Sequence, residues 1–222
     1  MIQRDIAPLF KQALSQYPVV TLTGPRQSGK TTLAKSECPD KPYVSLEDPD
    51  VRSFAKSDPR GFLSGYPSGA ILDEIQRVPE LPSYLQTIVD ADPTPGRFVL
   101  TGSQQFELMR SVTQSLAGRT AILRLLPMSL SELCRLNPNY SKQAASSVIL
   151  NGFYPRIHDR KLNPSQALAD YFSSYVERDL RELTAVHDLQ RFERFVKLCA
   201  GRTGQHDERG LDQARCRALQ VA

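Results

Sequence analysis

Residues 24–31 read Gly-Pro-Arg-Gln-Ser-Gly-Lys-Thr, which fits the spacing G-x-x-x-x-G-K-[ST]. Backbone amides in such a loop converge on phosphate, and the helix that follows adds the positive end of its dipole. Gly24 and Gly29 permit the tight path, with Pro25, Arg26, Gln27 and Ser28 forming the loop between them. Lys30, read as an exposed loop side chain, would reach the outer phosphates. The Thr31 hydroxyl would bind Mg2+, and Thr32 would add a hydroxyl near the innermost phosphate. A phosphate cradle alone predicts binding, whereas hydrolysis needs an acid beyond the metal ligand. The run Ala-Ile-Leu-Asp-Glu supplies both acids: Asp73 would hold Mg2+ through water, and Glu74 would orient and deprotonate an attacking water.

Three further side chains fit the same chemistry, each with a plainer alternative. Thr101 and Ser103 close the run Leu-Thr-Gly-Ser, where Ser103 could hydrogen-bond the terminal phosphate or the water, or could simply end a strand. Arg119, after Gly118, could stabilise charge on a transferred phosphoryl group, in this chain or a neighbouring subunit, or could pair with a surface acid. Arg26 has the same two readings.

These residues need elements to hold them. Ile6, Leu9, Phe10 and Leu14 mark a short amphipathic helix, and the β-branched run 18–23 reads as a strand stopped by Gly24-Pro25. A helix starts at about Gly29 and must end before Pro39. Strands are expected at 42–48, 69–76, 97–103 and 120–126. Helix starts are expected at Asp50 and at Asp58-Pro59, a helix face at Leu81, Tyr84, Leu85 and Ile88, and another helix over Leu108, Val112 and Leu116, closed by Gly118. The strand at 97–103 could lie between the loop's strand and the Asp73 strand. Alternating strands and helices predict an α/β domain with a mainly parallel sheet and helices on both faces.

From Ser129 the pattern turns helical. Ser129 and Glu132 form a capping box for a helix that stops at Asn137-Pro138. Asn163-Pro164 with Gln166 opens a longer helix carrying Tyr171, Phe172, Tyr175, Val176 and Leu180, and Phe192, Phe195, Val196 and Cys199 recur at helical spacing. The expected organisation is a P-loop domain at 1–136 and a helical C-terminal region at 137–222.

With 222 residues, 40% hydrophobic and 23% charged, the composition is that of a soluble globular protein. A net charge of +4 is compatible with phosphate ligands or weak nucleic-acid contact and demands neither. The four cysteines are scattered with no C-x-x-C pair and the three histidines stand at no metal-like spacing from them, so reduced thiols are expected rather than structural zinc. No leader or membrane span is indicated, and the expected location is the cytoplasm.

The strings GPRQSGKTTL, YVSLEDPDVR, ILDEIQRVPEL, FVLTGSQQF, LAGRTAILRLLPMSLSEL and YFSSYVERDL, in this order, resemble the bacterial and archaeal AAA-type ATPases whose P-loop domain is followed by a C-terminal domain of unknown function. The resemblance spans residues 1 to about 205. It implies an AAA-like P-loop core, ATP as ligand, and matching roles for Lys30, Thr31, Asp73, Glu74, Ser103 and Arg119. No N-K-x-D stretch is present, which favours ATP over GTP. Related chains continue past FVKLCAGRTGQ into a winged-helix-like segment, whereas HDERGLDQARCRALQVA follows here, with few apolar residues at core spacing. A truncation or shifted reading frame near Gln205 is therefore expected, leaving the helical region incomplete and poorly packed from about residue 185 unless another subunit covers it.

The function expected is slow Mg2+-dependent ATP hydrolysis that drives a conformational change in the helical region. The alternative is a nucleotide-sensing regulator or DNA-binding module in which ATP is a switch ligand. A homo-oligomer or protein partner, or nucleic acid through the C-terminal region, would complete either scheme.

Overall fold

The computed structural model describes residues 2–103, 112, 114–182 and 189–202. Two compact units are present, Met1–Lys161 and Leu162–Ala222.

The first unit is built on five strands: β1 Val19–Gly24, β2 Tyr43–Ser45, β3 Ile71–Asp73, β4 Phe98–Ser103 and β5 Thr120–Arg124. Their order is β2-β3-β4-β1-β5, and every pairing is parallel. β4 thus lies between the strand that feeds the loop and the strand that ends in Asp73. Alternation along each strand splits the core in two. Val19, Leu72, Phe98 and Leu100 face one cluster, while Val20, Leu22, Ile71 and Val99 face the other. Helices α1 Ala7–Gln16 and α2 Lys30–Glu37 cover the second face, contributing Phe10, Ala13, Leu33 and Ala34. Helices α3 Pro49–Ser57, α4 Pro59–Ser64 and α5 Leu81–Ala91 cover the first. A parallel sheet buried on both faces reads as near-continuous apolar runs, as these strands do.

Several boundaries differ from the sequence expectation for local reasons. β2 and β3 are three residues each. β3 cannot extend through 69–76 because Gly69 turns at φ 87° and Glu74 leaves the extended region at φ 58°, after which Ile75–Arg77 form a 3-10 turn. The cap of α3 is Asp48 rather than Asp50: its carboxylate accepts the Asp50 and Val51 N–H groups, with Pro49 in the first helical position. Asp58 caps α4 as expected. Of the helix expected over 108–116, Leu108 lies outside the described residues, and Val112 and Leu116 are buried in the core.

After β5 come α6 Leu130–Leu136, α7 Ala145–Asn151 and α8 Pro155–Asp159, packed around Met128, Leu133 and Val148. The expected capping box opens α6, and Asp5 fastens the same helix, accepting from Ser129 and Ser131 at its start and from Arg135 in its last turn. In the second unit, α9 Pro164–Glu182 begins where Asn163 accepts the Gln166 N–H at 3.2 Å, and α10 Leu189–Gly201 follows. Gln205 and the tail after residue 202 lie outside the described residues, as do residues 185–188 of the stretch expected to pack poorly.

Two outcomes test this architecture. Leu100 is fully buried at the middle of β4, so Leu100→Ala should cost about 2–5 kcal/mol, read from the denaturant midpoint. The Asp5 carboxyl is lowered from 3.8 to about 2, chiefly by its bonds from Ser129, Ser131 and Arg135. A depressed carboxylate pKa contributes stability that is complete above the unfolded value and lost as pH falls from about 4 through about 2. Asp5→Asn should flatten the pH dependence of the thermal midpoint in that window, by no more than about 1 kcal/mol because the pair is solvent-exposed.

Candidate active site

All five strands end at one edge, and the loop opens there. β1 finishes at Gly24, directly beside Ser103 of β4. Gly24 has φ 146°, and a Cβ on it would lie 2.0 Å from the Leu125 carbonyl oxygen, so no side chain fits. The loop then passes through Gln27 at φ 60° to Gly29 at φ 96°, which stands at the N-cap of α2 without any side chain to cap it. The first-turn amides are therefore left to an outside acceptor. Ser28 is wholly buried, and its Oγ has no hydrogen-bond partner among the described residues. An uncapped helix start, two positive-φ glycines and an unsatisfied buried hydroxyl together suit an anion such as phosphate.

Lys30 departs from the expectation of an exposed side chain. It is 6% exposed, and its Nζ donates to the carbonyls of Gly24 at 3.0 Å and Pro25 at 2.9 Å. Burial lowers its pKa, against the pull of the Glu74 and Asp73 carboxylates. Next to it, Thr31 Oγ1 lies 3.0 and 3.2 Å from the two Asp73 carboxylate oxygens. Asp73 also accepts from the Thr101 hydroxyl and, at 2.8 Å, from the Tyr43 hydroxyl. Hydroxyl and carboxylate oxygens are the donors that Mg2+ takes, and the set fits that ion.

Glu74 holds φ 58°, a conformation that costs a β-carbon residue on the order of 1 kcal/mol and turns its side chain off the strand direction. Its carboxylate accepts from Gln76 Nε2, which also donates to Ser103 Oγ at 3.1 Å. Burial raises the Glu74 pKa and Asp73 adds to the rise, while the Gln76 bond, Lys30 and Arg26 oppose it. Arg26, in the loop, is thus electrically coupled to both Lys30 and Glu74.

The structure brings Lys30, Thr31, Asp73, Glu74, Ser103 and Arg26 to one edge. Thr32 is exposed on the first turn of α2. Arg119 does not join them. It precedes β5 at the opposite edge, where its carbonyl accepts the Val19 N–H and its guanidinium pairs with Asp90. Within this chain the ion-pair reading of Arg119 holds, and a role at the phosphates requires a neighbouring subunit. Three site residues escaped the sequence reading: Tyr43, Gln76 and Arg4, whose Nη1 donates to the Ser28 carbonyl at 2.6 Å. Gln76 alone carried a local signal, standing two positions after the acid pair.

The AAA domain model matches residues 16–134, more than half of the chain. This chain belongs to the AAA domain family. A domain of unknown function, DUF8612, matches residues 142–209. The uncharacterized proteins Rv2008c of Mycobacterium tuberculosis and Mb2031c of Mycobacterium bovis are each 33% identical over 184 residues, covering 82% of this chain and 40% of the relative. The chain therefore spans 40% of the length of these relatives. Among solved structures, the Walker-type ATPase of Pyrococcus abyssi is similar at TM-score 0.52 and 16% identity, covering 99% of this chain and 89% of that one. The AAA domain thus shares a P-loop ATPase fold with a helical region after it. No helix among the described residues is long and apolar enough to cross a membrane.

Lys30→Ala should weaken nucleotide affinity about tenfold to a hundredfold, since it removes a charge-assisted contact to phosphate. It should also cost on the order of 1 kcal/mol of stability, because the carbonyls of Gly24 and Pro25 lose their donor. Isothermal titration with ATP and a denaturation curve separate the two effects, and wild-type affinity would remove Lys30 from the site.

Proposed function

We propose that the chain binds ATP with Mg2+ at the carboxyl edge of the sheet, hydrolyses it slowly, and uses the change to reposition its helical C-terminal region. The observation that carries this reading is the Thr31 hydroxyl set 3.0 Å from the Asp73 carboxylate, beside the buried Lys30 ammonium and the half-buried Glu74. A binding loop alone would not need the second acid, Glu74.

In this scheme the loop amides from 25 to 31 hold the phosphates, and Lys30 turns from its own carbonyls to the outer phosphate oxygens. Thr31 and Asp73 would hold Mg2+, which would supply positive charge to the phosphate oxygens. Thr101 and Tyr43 keep the Asp73 carboxylate in place by donating to it. Glu74 accepts the proton of the attacking water. Its raised pKa makes it a better base than an exposed glutamate. Ser103, joined to Glu74 through Gln76, lies where it can bond the terminal phosphate or that water.

Glu74→Gln tests the scheme because it keeps the shape of the side chain and removes the base. ATP affinity should stay within about threefold of wild type, while single-turnover phosphate release should fall by about 100-fold to 10,000-fold. Equal release by both proteins would assign the proton to another group. Tight ATP binding with no release by the wild type would make ATP a switch ligand instead.

A further inference from the structure

Arg4 is 7% exposed, although it lies before the first helix and outside the residues that the AAA domain model matches. Its guanidinium serves three acceptors from three distant parts of the chain. Nε donates to Glu132 Oε1 at 3.1 Å, Nη1 to the Ser28 carbonyl at 2.6 Å and Nη2 to the Leu126 carbonyl at 2.7 Å. The Ser28 carbonyl belongs to the peptide that carries the Gly29 N–H. Because a trans peptide is planar, holding that carbonyl on one side directs the Gly29 N–H to the other. Leu126 follows the Leu125 carbonyl that abuts Gly24, so the third bond braces the wall behind the first glycine. A Cβ on Gly29 would come within 3.3 Å of Nη1, which shows how closely the guanidinium sits against the loop.

Glu132 is built to match. The capping box needs only its Oε2, which accepts the Ser129 N–H at 2.9 Å. Oε1 takes Arg4 and the Asp5 N–H, the latter at 2.6 Å. A carboxylate that only capped a helix could stay in water; this one is 3% exposed, where it balances the buried guanidinium.

We propose that Arg4 is a positioning residue for the phosphate loop, setting the Ser28–Gly29 peptide for anion binding and, through Glu132, tying that setting to the start of α6. The inference rests on the nucleotide-binding reading of the same loop. Lysine cannot replace this arginine, because a single ammonium lacks the planar fork that reaches three acceptors in different directions.

The test uses the full chain as wild type, Arg4→Ala, Arg4→Lys and Glu132→Gln, at a temperature where circular dichroism reports each folded. ATP affinity in Mg2+ is measured by titration, and hydrogen exchange is followed across residues 24–31 with α5 as the internal reference. Arg4→Ala should weaken ATP about tenfold or more and Arg4→Lys should recover only part of that loss. Guanidinium ion at low millimolar concentration should restore affinity to Arg4→Ala and leave wild type unchanged. Loop amides should exchange faster in both arginine variants and in Glu132→Gln, while α5 exchanges as before. Wild-type affinity and wild-type loop exchange in Arg4→Lys would overturn the proposal. If Arg4→Ala fails to fold, Arg4→Lys and Glu132→Gln decide it on the same readouts. Should the wild type itself bind no ATP, the nucleotide reading fails separately. The exchange data then decide the positioning claim, with unchanged loop exchange in the variants overturning it.

Discussion

Five strands that all run in one direction must all finish at one edge, and the chemistry here depends on that constraint. Gly24, Asp73 and Ser103 come from separate stretches of sequence, yet each is the last residue of its strand and so each reaches the same edge. The order β2-β3-β4-β1-β5 then sets the spacing, placing β4 between the loop and the acid pair. Packing supports the arrangement from both sides, since successive residues of β1, β3 and β4 alternate between two dry cores. Arg119 obeys the same rule from the other direction: a residue that starts a strand belongs to the far edge.

Charge is concentrated at this edge in a way that only close pairing permits. The charges of Arg26 and Asp73 bear on the ionisation of Lys30 and Glu74, which also act on each other, and burial works against the charged form of both Lys30 and Glu74. Asp73 accepts from three hydroxyls, Thr31, Thr101 and Tyr43, so its orientation is defined before any ligand competes for it. Tyr43 is held protonated, its pKa pushed up to about 12 by burial and the bond to Asp73. The Lys35 ammonium lies 3.3 Å from its ring centroid, which adds an attraction between cation and ring at the same point.

The loop and the acid pair were legible in the sequence because each is a run of adjacent residues with its geometry encoded locally. The strands and most helices were legible for a similar reason: apolar periodicity, proline at helix starts and the Ser129–Glu132 cap are short-range signals. Strand ends were less so, since β3 stops where Glu74 adopts a left-handed conformation that its residue type does not announce. Lys30 looked exposed because a motif reports which groups surround a phosphate and is silent on what the lysine bonds otherwise. Tyr43 and Arg4 were invisible for a stronger reason. Their partners are brought to them only by sheet order and by the path of the chain after β5, so nothing near them in sequence marks them.

Arg4 also separates two definitions of a domain that usually coincide. The match to the AAA domain model begins at residue 16, whereas the physical unit reaches back to a side chain at position 4 that is bonded into the loop and the wall behind it. A fragment begun at residue 16 would retain every residue of the nucleotide motif. It would also leave the Ser28 and Leu126 carbonyls without this donor and the buried Glu132 without its counter-charge. Cutting where that match starts would therefore remove a buried cation from the interior rather than trim a terminus.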